Sequence, residues 1–176
     1  AKVKIKAFDA LTNQDVTITL KANEQVQTVN DWKLLPDKKT LTRTFKQNAG
    51  GFTVYVKDLV GNTSSITLYV TKIDKTAPSV NRSYSTTQLT NADVKVTLTS
   101  NEAMQQISGD WDISNDKLTM TRTYSSNKTE TVQVKDIAGN VTPIGIKITN
   151  IDKTKPTATV SYTPTTTTNG TVTAKI

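Results

Sequence analysis

The chain repeats itself. LTNQDVTITLKANE from Leu11 to Glu24 returns as LTNADVKVTLTSNE from Leu89 to Glu102, KDLVGN from Lys57 as KDIAGN from Lys135, and IDKTAP from Ile73 as IDKTKP from Ile151, each displaced by 78 residues. Between these anchors Trp32 answers to Trp111, and TRTF at Thr42 to TRTY at Thr121, both displaced by 79. One residue enters before the Trp and one leaves after the Arg, which is how loops change length between copies of one fold. A chain of 176 residues with this period builds two small units in series rather than one large core. A third copy begins, because SYTPTTTTNGTVTAKI from Ser161 matches SYSTTQLTNADVKVTL from Ser83 at the same displacement of 78. The expected units are 1–75, 76–153 and, for 154–176, the first two strands of a third. TPTTTT is then a loop between strands and not a low-complexity linker.

Within each copy the side-chain period is two. Val16, Ile18 and Leu20 alternate with Thr17 and Thr19, and Val94, Val96 and Leu98 repeat the pattern. Val54 and Val56, then Ile66, Leu68 and Val70, are echoed by Val132 and Val134 and by Ile144, Ile146 and Ile148. Such alternation buries one face of a strand and wets the other, and the 34 Thr residues favour strands further. Short strands punctuated by turn signals predict an all-β chain in which each copy is an antiparallel β-sandwich. A unit of this size buries a modest fraction of its surface, and without Cys no disulfide supplements it. Large side chains must then carry the core, which assigns Trp32 and Trp111 a structural place, with a carbohydrate-stacking platform as the functional alternative.

Repeats of this length, with I-D-K-T-x-P junctions, a VTITL-type strand running into NE, a Trp soon after, a TRTF or TRTY strand and a D-x-x-G-N turn, resemble the bacterial immunoglobulin-like (Big-type) tandem repeats of Gram-positive surface and secreted proteins. The resemblance covers nearly the whole chain. It implies tandem immunoglobulin-like antiparallel β-sandwich domains, extracellular, at the cell surface or wall or secreted, acting as a stalk. Neighbouring repeats are the implied partners, and no catalytic residues are shared across the family. The structural meaning of the motifs stands beside it: Asp58 and Asp136 bond turn amides, and Gly61 and Gly139 supply the positive φ of a tight hairpin. Pro78 and Pro156 keep the junctions short and extended.

Chemistry is sparse. The absence of His and Cys removes the usual general base, thiol nucleophiles and zinc-thiolate sites, so an enzyme is not expected, nor a cofactor. Calcium at the junctions is a candidate, since Glu24, Asp58, Asn62 and Asp74 in the first copy, and Glu102, Asp136, Asn140 and Asp152 in the second, supply hard oxygen ligands, but not at EF-hand spacing, and turn capping with solvated charge is the favoured role. Arg43 and Arg122 are in phase with apolar neighbours, so their stems are expected to pack while the guanidinium reaches water or a carboxylate, with Glu24 or Glu102 as the sharper pairing. The net charge of +7 is uneven: residues 1–74 hold 11 bases and 7 acids, residues 78–152 hold 7 and 8, so basicity is not shared and nucleic acid is not an expected partner. No run of about 18 apolar residues predicts membrane insertion. A spacer is the leading expectation. The alternative is a binding module, an adhesin to a host ligand or an accessory carbohydrate-binding module, for which Tyr55 and Tyr69 are candidates because the second copy has Gln133 and Lys147 there.

Overall fold

The computed structural model describes residues 2–5, 10–107, 109–163 and 165–175. Six strands build the first unit: β1 (Val3–Ile5), β2 (Val16–Ala22), β3 (Lys33–Leu34), β4 (Thr40–Phe45), β5 (Ala49–Lys57) and β6 (Thr63–Val70). Their counterparts in the second are β7 (Val80–Tyr84), β8 (Val94–Ser100), β9 (Asp112–Ile113), β10 (Thr119–Tyr124), β11 (Lys128–Lys135) and β12 (Val141–Ile148). Sheet order is β1-β2-β4-β3 with a separate β5-β6 hairpin, then β7-β8-β10-β9 with β11-β12. Among the described residues all regular structure is strand, and the named strands pair antiparallel.

The alternation explains the layering. In β2 and β8 the even-numbered residues face inward, and each four-stranded sheet closes over its hairpin. Leu20, Leu41, Val56, Leu68 and Val70 meet around Trp32 in one core, and Leu98, Met120, Val134, Ile146 and Ile148 around Trp111 in the other. Two sheet layers around one apolar core are consistent with a β-sandwich. The indoles are 5% and 3% exposed. Each removes roughly 200 Å² from water, a large share of what a unit of this size can bury.

Two local devices recur. In the β3–β4 and β9–β10 turns, Lys38 and Lys117 take positive φ (54° and 59°). A carboxylate one residue earlier stabilises each: Asp37 accepts from the Lys39 and Thr40 amides and the Thr40 hydroxyl, and Asp116 from the Leu118 amide and the Ser114 hydroxyl. These bonds, the hydroxyl first, hold both carboxyls below their ordinary range. The second device is an amide clamp. Asn48 Nδ2 donates to the Ile73 carbonyl (2.8 Å) and its Oδ1 accepts from the Ile73 amide (2.9 Å); Asn127 does the same to Ile151 (3.0 and 2.9 Å). The I-D-K segment is thereby part of each unit, with Ile73 and Ile151 buried in the cores.

Past Ile151, β13 (Ser161–Thr163) pairs with β14 (Thr173–Lys175). Ser161 faces Lys175 and Tyr162 faces Ala174, as Ser83 faces Thr97 and Tyr84 faces Val96. The pairing register thus follows the sequence repeat, and the strands of this hairpin are exposed on both faces. Pro164 and Ile176, within the expected third unit, Ser108, within the second, and Ala1 and residues 6–9, within the first, lie outside the described residues.

Separate cores predict separate melting. Trp111→Ala removes about 3–5 kcal/mol from the second unit and leaves the first in place. In urea titrations the remaining Trp32 fluorescence should keep its midpoint while the backbone circular dichroism gains an earlier transition. One coincident transition for both signals would show a single cooperative body.

Candidate functional site

The D-x-x-G-N turns close the β5–β6 and β11–β12 hairpins, with Gly61 and Gly139 at φ 98° and 101°. Asp58 accepts from the amides of Val60 (3.0 Å) and Asn62 (2.8 Å) and from Asn62 Nδ2 (2.8 Å). Asp136 accepts from the amides of Gly139 (2.6 Å) and Asn140 (2.8 Å) and from Asn140 Nδ2 (2.8 Å). Both carboxylates are buried, at 4% and 1% exposure. The Asn62 side chain is the main cause holding Asp58 below the usual carboxylate range. The turns are also pinned to the loop after β2 or β8, where Val26 bridges Asp58 and Met104 bridges Asp136.

The second of these turns meets the end of the first unit. Asn140 Nδ2 donates to the Asp74 carbonyl (2.9 Å) and the Asn13 amide donates to the Ala138 carbonyl (3.1 Å), while within the second unit Thr142 Oγ1 donates to the Pro78 carbonyl (2.6 Å). Asn13 lies close against Gly139, its Nδ2 3.5 Å from where a Cβ would stand. On the first unit's side the connecting segment pairs in parallel with the loop before β2, through Thr12 N–H to the Lys72 carbonyl and Asp74 N–H to the Thr12 carbonyl (both 2.9 Å). Lys75 Nζ then reaches Asp15 (2.5 Å), and Lys153 reaches Asp93 (2.6 Å) in the corresponding place.

Within this joint the carboxylates of Asp74, Glu102 and Asp136 lie within 4.8 Å of one another. Burial first, then the like charges of Asp136 and Asp74, push the Glu102 carboxyl up. These are the side chains that could hold a hard divalent cation, which prefers such oxygens but takes six or more of them. The grouping differs from the sequence expectation. Asp74 joins Asp136 of the following unit, not Asp58 of its own. Asp58 stays within its own turn, and Asp152 Oδ1 accepts from the Thr154 amide at the next junction.

The other expected residues divide. Trp32 and Trp111 are buried. Tyr69, 69% exposed, lies over Gly51, where a Cβ would come within 2.7 Å of its ring; the second copy has Thr129 and Lys147 at those places. Tyr55, 65% exposed, stands on the wall of an open groove. The arginines do not pair with Glu24 or Glu102. Arg43 lies near Asp31 (3.6 Å) and Arg122 bonds Glu130 (3.2 Å), because β4 and β10 carry them towards the edge that faces the hairpin. Asn48, Asn127 and Asn13 were invisible as functional positions: their only signal is recurrence, as Asn48 with Asn127 and Asn13 with Asn91. Comparisons with protein-family models, curated proteins and solved structures found no match to the chain.

The raised carboxyl at Glu102 gives a signed prediction. A group whose folded pKa exceeds its unfolded value contributes stability that is present below the unfolded pKa and lost as pH rises through the folded one. At neutral pH, Glu102→Gln should therefore melt higher than the parent, and the gain should vanish as pH falls below the ordinary glutamate range. Paired thermal melts at neutral and acid pH measure it; an unchanged or lower melting temperature at neutral pH overturns the raised carboxyl at Glu102.

Proposed function

We propose that this chain is a spacer, a series of immunoglobulin-like β-sandwich repeats of the Big type that holds a functional domain away from a bacterial surface. The observation that carries this reading is the joint. Hydrogen bonds from the Asn13 amide and from Asn140 Nδ2 cross it, and each ends on a main-chain carbonyl, while Thr142 Oγ1 fixes the Pro78 carbonyl on the second unit's own side. A contact directed to the backbone is independent of the acceptor residue's side chain and sets the position of one unit against the next. The clamp from Asn48, the parallel pairing at Thr12 and the Lys75–Asp15 ion pair leave little free chain between the units. Stiffness at such a connection is what a stalk requires and what a flexible tether lacks.

The sequence supports the same role. The junction segment IDKTAP recurs as IDKTKP with a single change, and the chain has no His or Cys with which to build the common catalytic centres. An extracellular, wall-associated or secreted setting, with adjoining repeats as partners, belongs to this reading.

Residual dipolar couplings test it directly. In a weakly aligning medium, amides of both units should fit one alignment tensor of equal magnitude, and small-angle scattering should return an extended particle. Asn140→Ala removes the donor to Asp74 and should reduce the second unit's alignment relative to the first. Independent tensors in the parent chain, or a folded-back particle, would sink the spacer.

A further inference from the structure

Each unit carries an open groove at one place, between the loop before β3 or β9 and the exposed edge of β5 or β11, with volumes of about 520 Å³ in the first and 460 Å³ in the second. Gln27, Trp32, Arg43 and Lys57 line the first, and their counterparts Gln105, Trp111, Arg122 and Lys135 line the second. The backbone frame is shared. What differs is how the arginine is satisfied.

In the second unit the guanidinium already holds a carboxylate. Arg122 Nη1 donates to Glu130 Oε1 at 3.2 Å, and the Tyr124 hydroxyl donates to the same oxygen at 2.6 Å. Burial, followed by the bond to Glu130, pushes the Tyr124 phenol well above its ordinary range, so it stays a donor. In the first unit Phe45 stands for Tyr124 and Phe52 for Glu130. The Arg43 guanidinium lies 5.0 and 5.8 Å from those two ring centroids. Rings attract the cation's face but accept little from its N–H edge. Among the described residues Arg43 donates no hydrogen bond, and its nearest acid is the exposed Asp31 at 3.6 Å.

We infer that the groove of the first unit binds a carboxylate-bearing saccharide, with the guanidinium of Arg43 taking the carboxylate and Tyr55 the face of a sugar ring. The bond that Glu130 makes in the second unit is the internal version of this contact, since the same arginine in the same frame accepts a carboxylate there. A planar guanidinium presents paired donors that match a carboxylate. Tyr55 offers a rigid exposed ring on the groove wall, where the second unit has Gln133. Thr28, Asn30 and Thr53 line the groove with hydroxyls and an amide, donors and acceptors suited to sugar hydroxyls, and Lys57 adds a second cation. An apolar peptide would find few pockets on such a wall. Tyr69, seated on Gly51, is outside the site.

Proton–nitrogen correlation spectra of the labelled full chain, titrated with trigalacturonate, test the site, with galactotriose and acetate as controls. The acidic trisaccharide should shift Arg43, Tyr55 and Lys57 saturably, with a Kd of roughly 0.1–1 mM as expected of a small open site, while Arg122 and Gln133 stay still. Tyr55→Gln, which installs the second unit's residue at an exposed position, should weaken binding at least about fivefold. Phe52→Glu should abolish it by giving Arg43 an internal carboxylate, and a thermal melt checks that this variant is folded. Equal shifts from galactotriose or acetate, equal shifts at Arg122, no response to trigalacturonate, or undiminished binding by folded Tyr55→Gln and Phe52→Glu would each overturn the assignment. None of these outcomes bears on the alignment of the two units, so the spacer stands or falls separately.

Discussion

The paired hydrogen bonds from Asn48 to Ile73, and from Asn127 to Ile151, are the constraint on which the arrangement rests. A carboxamide can satisfy an amide N–H and a carbonyl on the same residue at once, and a connecting segment held that way cannot swing without losing both bonds. The clamp also seats Ile73 and Ile151 in the cores, so the boundary of each unit is sealed by the residue that starts the connection. With the last residue of one unit fixed, the turn around Asp136 meets a surface and not a loose thread. The Asn140 carboxamide then serves both sides, bonding Asp136 within its own turn and Asp74 across the joint.

Much of the fold was legible in the chain because its causes are local. Alternation at Val16, Ile18 and Leu20 reports a buried strand face whatever lies opposite. The D-x-x-G-N turns show through as well, since the carboxylate and the glycine that make them lie within four residues. The joint was not legible. Bringing Asp74 to Asp136 requires the orientation of one unit on another, and no spacing in the sequence encodes it; grouping acids by copy joined the wrong pairs. The arginines illustrate a finer limit. Alternation correctly placed their stems at the inner edge, but their partners come from β5 and β11, and the exchange of Phe52 for Glu130 gains meaning only once both are seen beside the same guanidinium.

Recurrence serves as an internal experiment. Where both copies keep a residue, as at the Trp, the clamp and the turn, the shared fold accounts for it: each such side chain is buried or bonded to backbone. Where the copies part, at Phe45 and Tyr124, Phe52 and Glu130, or Tyr55 and Gln133, the frame persists and the side-chain chemistry changes. The second groove is neutralised from within, whereas the first leaves its cation against aromatic rings.

The parallel pairing of Thr12 with Ile73 also governs how tension would travel. The chain enters the first unit through β1, and the segment around Thr12 that follows runs alongside the segment leaving after β6 in the same direction, joined by bonds from Thr12 to Lys72 and from Asp74 to Thr12. Once β1 has come away from β2, a pull along the chain loads those bonds in shear, where both must yield together, rather than peeling them apart in succession. Thr90 and Ile151 repeat the geometry in the second unit, so an array of such units would meet force with the same latch at every step.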